Sequence, residues 1–154
     1  MDVTQPKQPK LEIFTDGSCD TVSGRGGWGY LLRCGAQQQT ASGFAADTTN
    51  NRMELTAAVE ALSALKKPCT VTIITDSQYL KNAFTAGWLK NWQRNGWKTA
   101  SKQPVKNKDL WLRLLTLSAT HDLSWSWTKG HAGHAENEIV DKLALQARRR
   151  GGAL

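Results

Sequence analysis

Two short apolar runs that end in the same way constrain this chain most. Leu11–Cys19 (LEIFTDGSC) and Val71–Gln78 (VTIITDSQ) both carry Ile-x-Thr-Asp. Ile13, Phe14 and Thr15 are strand formers, and Gly17 and Ser18 are expected to break the first run. If the two strands are parallel neighbours, Asp16 and Asp76 stand side by side at the carboxyl edge of a sheet, where open α/β sheets place their ligands. A strand-end Asp more often caps the turn that follows it. That reading serves one copy; a second copy at the matching position favours a shared site.

A chain of 154 residues suits one domain with a real core. Its formal net charge of +7 points to a polyanionic partner. Cys19, Cys34 and Cys69 are widely separated and form no CxxC pair, which argues against a disulfide scaffold or a zinc knuckle. No apolar run approaches a membrane span, and the first residues lack the apolar core of a signal peptide. The expectation is a cytoplasmic monomer with reduced thiols.

Residues 1–10 (MDVTQPKQPK) read as a flexible leader. After the first strand and a turn rich in small residues, Asp20–Gly27, a second strand is expected over Gly27–Cys34 and a third over Gln37–Phe44, together an antiparallel meander. Periodicity then becomes helical, with Leu55, Val59, Leu62 and Leu65 on one face. Thr49, Asn50 and Asn51 are its capping candidates, and Pro68 closes the segment. A strand over Val71–Thr75, a helix over Gln78–Phe84, a polar, tryptophan-rich stretch over Trp88–Lys108, a helix over Leu110–Leu117, a strand over Leu123–Thr128 and a final helix over Glu136–Arg149 follow. The helix after the meander acts as a crossover, making the fourth strand parallel to the first. The fold class is α/β: a five-stranded mixed sheet, meander plus parallel strands, flanked by helices. Residues 11–150 form one domain and residues 151–154 a short tail.

Two further carboxylates stand out. Glu54, in TTNNRMEL, is expected in the first turn of a helix over Met53–Leu65, where the dipole alone would justify an acid. Asp141 lies among Ile139, Val140, Leu143 and Ala144, an apolar stripe in which a lone charge is costly. Four carboxylates meeting at one sheet edge would repel one another, and Mg²⁺ or Mn²⁺ would relieve that repulsion. Two such ions about 4 Å apart serve in-line displacement at phosphorus. Between Asp76 and Asp109 there is no acid, while Lys81, Lys90, Arg94, Lys98, Lys102, Lys106 and Lys108 all lie there. Such a one-sided field suits phosphates.

The motifs FTDGSC, TTNNRMEL, TDSQY, GWKTA with PVKN and DLW, and KGHAGHAENE followed by IVDKLA occur in this order over Leu11–Ala147. In them the chain resembles bacterial-type ribonuclease H, type 1. The resemblance implies a ribonuclease H-like fold with a basic handle, and an endonuclease that hydrolyses the RNA strand of RNA–DNA hybrids with two metal ions. It assigns the metal ligands to Asp16, Glu54, Asp76 and Asp141. Asp16 would be shared by the two ions, Asp141 would complete the water-activating site, and Glu54 with Asp76 the site of the leaving 3′ oxygen. His131 maps onto a loop histidine that aids water positioning or product release; by residue type alone His131 and His134 read as solvated loop histidines. Glu138 reads either as support for the metal ligands or as exposed, and the resemblance favours support. Thr49, Asn50, Asn51 and Gln78 match substrate-contacting positions, whose amides suit 2′-hydroxyls and base edges. Lys98, Lys102 and Lys106 match the handle, and Trp88 a position beside the DNA strand. Trp92, Trp97, Trp111, Trp125 and Trp127 are expected to be structural. The chain departs from many relatives in the Asp20–Gly27 turn and in stopping soon after Arg148–Arg150. A DNA nuclease on the same fold and a non-catalytic hybrid-binding module are the rivals. The presence of all four acids argues against the second.

Overall fold

The computed structural model describes residues 9–128 and 135–151. Ten elements follow one another: β1 (Lys10–Cys19), β2 (Gly26–Cys34), β3 (Gln37–Ala45), α1 (Asn50–Ser63), β4 (Thr70–Thr75), α2 (Gln78–Thr85), α3 (Trp88–Asn95), α4 (Lys108–Thr120), β5 (Asp122–Trp127) and α5 (Ala135–Arg150). The strands form one five-stranded sheet in the order β3-β2-β1-β4-β5. β1 pairs antiparallel with β2 and parallel with β4, and β4 pairs parallel with β5. The expected mixed sheet, with the two Asp-ended strands adjacent, is therefore present.

α1 covers one face of the sheet and α5 covers the β1–β3 part of the other, so the centre of β1, residues 13–16, is buried. Successive residues point to opposite sides. Ile13 and Ile73 join Leu55, Val59, Leu62, Trp111 and Leu114 in the main cluster under α1 and α4. Phe14 and Ile74 turn the other way and meet Leu31 and Val140, beneath α5. α5 lies so close to β2 that a Cβ at Gly27 would sit 2.2 Å from the Ala144 carbonyl oxygen and 2.6 Å from the Arg148 nitrogen.

Three expectations need correction. β1 does not break at Gly17: it outruns β4 but stays paired with β2 to Cys19, opposite Gly26. The helix after the meander starts at Asn50, with Thr49 as its cap, so Asn50 and Asn51 are helical residues and not caps. The stretch from Trp88 holds an extra helix, α3, that the composition concealed. Its polar and tryptophan residues hide a short amphipathic turn in which Leu89 alone is fully buried. Trp92 and Trp97 pack against the main cluster and Trp111 is enclosed, as expected. Trp125 and Trp127 stack 5.2 Å apart on β5.

Gly17 sets how closely α1 approaches β1. A Cβ there would fall 2.5 Å from the Glu54 nitrogen and 2.6 Å from the Met53 carbonyl carbon. Gly17→Ala should force the start of α1 away from the sheet at a cost of about 1–3 kcal/mol. Urea unfolding measures this; wild-type stability in the variant would show that the contact is not tight.

Candidate active site

Each acid reaches the sheet edge by a different local device. The last β1–β4 pair is Phe14 with Ile74, so Asp16 and Asp76 lie two residues further along each strand. Asp16 remains in β1, opposite Gly29 of β2. Asp76 is the first residue past β4, and Ser77 after it caps α2 by accepting the Leu80 N–H at 3.2 Å. Capping thus falls to Ser77, which leaves the Asp76 carboxylate available to the site. Glu54 is the fifth residue of α1, and no acid lies in that helix's first turn. The helix-dipole account of Glu54 therefore gives way, and the closeness of α1 to Gly17 explains its position. Asp141 comes from α5, one residue past the buried Val140.

The carboxylate oxygens of Asp16, Glu54 and Asp76 lie within 4.8 Å of one another. Asp141 and Glu54 also sit close enough to Asp16 to act on its ionisation. Asp16 and Glu54 are each only 6% exposed. Burial, then the charges of Asp76 and Asp141, push the Asp16 carboxyl up to about 7, against the Gly17 N–H that donates to its Oδ1 at 2.9 Å. Burial, then Asp16 and Asp76, raise Glu54 well above the usual carboxylate range. Glu54 Oε2 is buried without a hydrogen-bond partner. An orphaned acceptor inside an all-oxygen set of acids is what a hard divalent cation would satisfy, so these residues fit Mg²⁺ or Mn²⁺.

The remaining candidates take varied positions. Thr49 caps α1, its Oγ1 accepting the Arg52 N–H at 3.1 Å. Asn50, Asn51 and Gln78 are exposed at the first turns of α1 and α2. Trp88 opens α3 and is 38% exposed. Lys98, Lys102 and Lys106 are exposed on the loop between α3 and α4. Glu138 is exposed on α5, whereas its neighbour Asn137 is 5% exposed and lines the cleft with Asp16 and Asp76. His131 and His134 lie outside the described residues. His121 is buried and accepts the Cys69 N–H at Nδ1, a structural contact.

Sequence reasoning missed the connection between α1 and the basic stretch. Arg52 donates to Asn107 Oδ1 at 3.2 Å and binds both carboxylate oxygens of Asp109, at 3.0 and 2.7 Å. Asn107 and Trp111 both donate to the Tyr79 hydroxyl, at 3.2 and 2.9 Å. Asp109, the acid that ends the acid-free run, is thus the anchor of that run to the first turn of α1. Its isolation among lysines was the available signal.

The raised carboxyls fix a sign for pH dependence. The folded protein holds their protons more tightly than the unfolded chain, where such groups titrate near ~4. The stabilisation is complete below that value and is lost as pH rises through about 7 for Asp16. Metal-free protein should therefore lose melting temperature from roughly pH 5 to pH 8, more steeply than Asp16→Asn. Added Mg²⁺ should restore it at the upper end. Parallel wild-type and variant curves by calorimetry in chelator would refute the repulsion account.

The RNase H family model matches residues 8–149. The ribonuclease H of Hydrogenovibrio crunogenus is 59% identical over 138 residues, which cover 90% of this chain and 94% of that protein. The ribonuclease HI of Neisseria meningitidis serogroup B is 58% identical over 132 residues, 86% of this chain and 90% of that one. Among solved structures, a type 1 RNase H with the type 2 active-site motif superposes with a TM-score of 0.81 at 29% identity, covering 95% of this chain and 75% of the other. A foamy viral protease-reverse transcriptase in complex with RNA/DNA hybrid gives 0.71 at 23% identity, over 96% of this chain and 22% of that one, a likeness of fold. A matched span of this length and relatives of this identity lead to one conclusion: the chain belongs to the RNase H family, with bacterial ribonuclease HI among its relatives.

Proposed function

We propose that this chain is a divalent-metal-dependent endonuclease that hydrolyses the RNA strand of RNA–DNA hybrids, leaving 3′-hydroxyl and 5′-phosphate ends. The convergence of Asp16, Glu54 and Asp76, with Asp141 close enough to act on Asp16, carries the reading. Asp16, Glu54, Asp76 and Asp141 would hold Mg²⁺, with Mn²⁺ as a substitute. Two such ions would stabilise the attacking and leaving oxygens of an in-line displacement. Asp16 contacts both Asp141 and Glu54, which supports its being the shared ligand, with Asp141 on the water side and Glu54 with Asp76 on the leaving side.

The exposed amides of Asn50, Asn51 and Gln78, with Thr49, flank Glu54 and Asp76 in sequence and can both donate to and accept from 2′-hydroxyls. Lys98, Lys102 and Lys106, with Trp88, would grip the hybrid through the handle. His131 would assist water positioning or product release, and Glu138 would support the metal ligands through other groups. Residues 11–150 would work as one domain, as a monomer in the cytoplasm. Among the described residues no helix is long and apolar enough to cross a membrane.

Strand choice tests the reading. A strand-labelled hybrid carrying a short DNA patch in its RNA strand should be cut only where ribose flanks the scissile phosphate. Each lost 2′-hydroxyl contact in a confined site should cost about 1–3 kcal/mol, so losing several suppresses cutting to background. Efficient cutting inside the patch would favour a DNA nuclease. Asp16→Asn should abolish cleavage and leave hybrid binding measurable.

The handle gives a separate test. Lys98→Ala with Lys102→Ala should weaken binding about equally for all hybrid sequences. The slope of log K against log salt should become shallower by roughly one to two units. An unchanged slope would make these lysines ordinary solvated surface.

A further inference from the structure

The arginines of this chain divide into two groups. Arg33 pairs with Glu12 and Glu136, Arg52 with Asp109, and Arg113 with Glu60. Among the described residues, Arg25, Arg94, Arg148, Arg149 and Arg150 have no carboxylate within ion-pairing distance; Arg94 lies on α3, and the other four lie at or beside the end of α5. Arg148 donates to Ser18 Oγ at 2.9 Å. Ser18 lies two residues beyond Asp16 on β1, so both project from the same face of the sheet, ~7 Å apart along the strand. Arg25 stacks over the Phe44 ring at 5.0 Å, and its Nη2 lies 2.0 Å from where a Cβ on Gly151 would be. Its guanidinium is thus held against the end of α5, where Arg149 and Arg150 are exposed. Asp20, the nearby acid, accepts the Val22 N–H at Oδ1 at 3.0 Å, and this bond, with the Arg148 charge among the lesser causes, lowers its carboxyl below the usual range.

We infer that Arg25, Arg148, Arg149 and Arg150 form a second phosphate-binding surface, which holds the backbone of the cleaved strand beside the scissile bond. This rests on the hybrid-cleaving reading above. The ~7 Å from Asp16 to Ser18 corresponds to about two nucleotide steps of ~3.4 Å axial rise. The surface lies on the α5 side of the sheet, whereas the basic handle is tied to α1 and α2 on the other side. A duplex crossing the four acids would meet positive charge at both ends. Arginine suits the task, since its planar fork binds phosphate oxygens in pairs. The competing explanation is that these residues only complement the helix dipole at the end of α5. That role would change stability and leave nucleic-acid affinity untouched.

The test is hybrid binding by the full chain in metal-free buffer across a salt series. Arg25→Gln with Arg148→Gln should make the slope of log K against log salt shallower by roughly one to two units. Arg148→Lys should keep most of the wild-type slope. Arg149→Gln with Arg150→Gln, both exposed, should lower the slope even if the first pair proves poorly folded. Hybrids shortened stepwise from one end of the cleavage site should lose affinity for wild type but not for these variants. Slopes equal to wild type in both pairs, or variants that respond to shortening as wild type does, would overturn the inference. A wild-type chain that neither binds nor cuts hybrid would instead overturn the reading on which it rests.

Discussion

Mutual repulsion among buried carboxylates is the constraint around which the rest of this structure is arranged. Asp16 and Glu54 are nearly enclosed, and each feels the charge of other acids. Left alone, such groups hold protons well above their usual range, because desolvation and like charge both penalise ionisation. The fold nevertheless presses them together from independent directions: along β1, past the end of β4, across the start of α1 and down from α5. An arrangement that costs stability persists when function requires it, and the orphaned Glu54 Oε2 within an all-oxygen set fits a hard divalent cation.

Glycine makes this convergence possible. Gly17 admits the backbone of α1 next to Asp16, and Gly27 admits that of α5 onto β2. A methyl group at either point would displace the helix that carries the partner acid. The site thus depends on residues that carry no chemistry, since a carboxylate displaced by an ångström no longer shares a cation or a proton with its neighbour.

The charge distribution shows the complementary half of the arrangement. Arg33, Arg52 and Arg113 are paired with acids and tie elements together. The Arg52–Asp109 pair joins the first turn of α1, which carries the amides beside Glu54, to the end of the basic loop. Among the described residues, further positive charge is exposed on the handle and at the end of α5, the two flanks proposed to grip a hybrid. Positive flanks around a negative centre suit a polyanion that must be held near acids that would otherwise repel it.

The repeated Ile-x-Thr-Asp by itself determined the neighbouring of β1 and β4 and the pairing of Asp16 with Asp76. A period of two in β-branched residues and a helical stripe between them leave little freedom in topology. The motifs extended this to Glu54 and Asp141. Only the tertiary structure decided why Glu54 is buried: its helix starts earlier than the apolar stripe suggested, and Gly17 lets it close on the sheet. Only it, too, distinguished exposed Glu138 from enclosed Asn137, adjacent residues of one helix. It also revealed α3 within a polar stretch, and the anchoring of Arg52 to Asp109. Local sequence encodes strand and helix through periodicity. Burial, ion pairing and close backbone approach arise between segments far apart in the chain, and no local pattern records them.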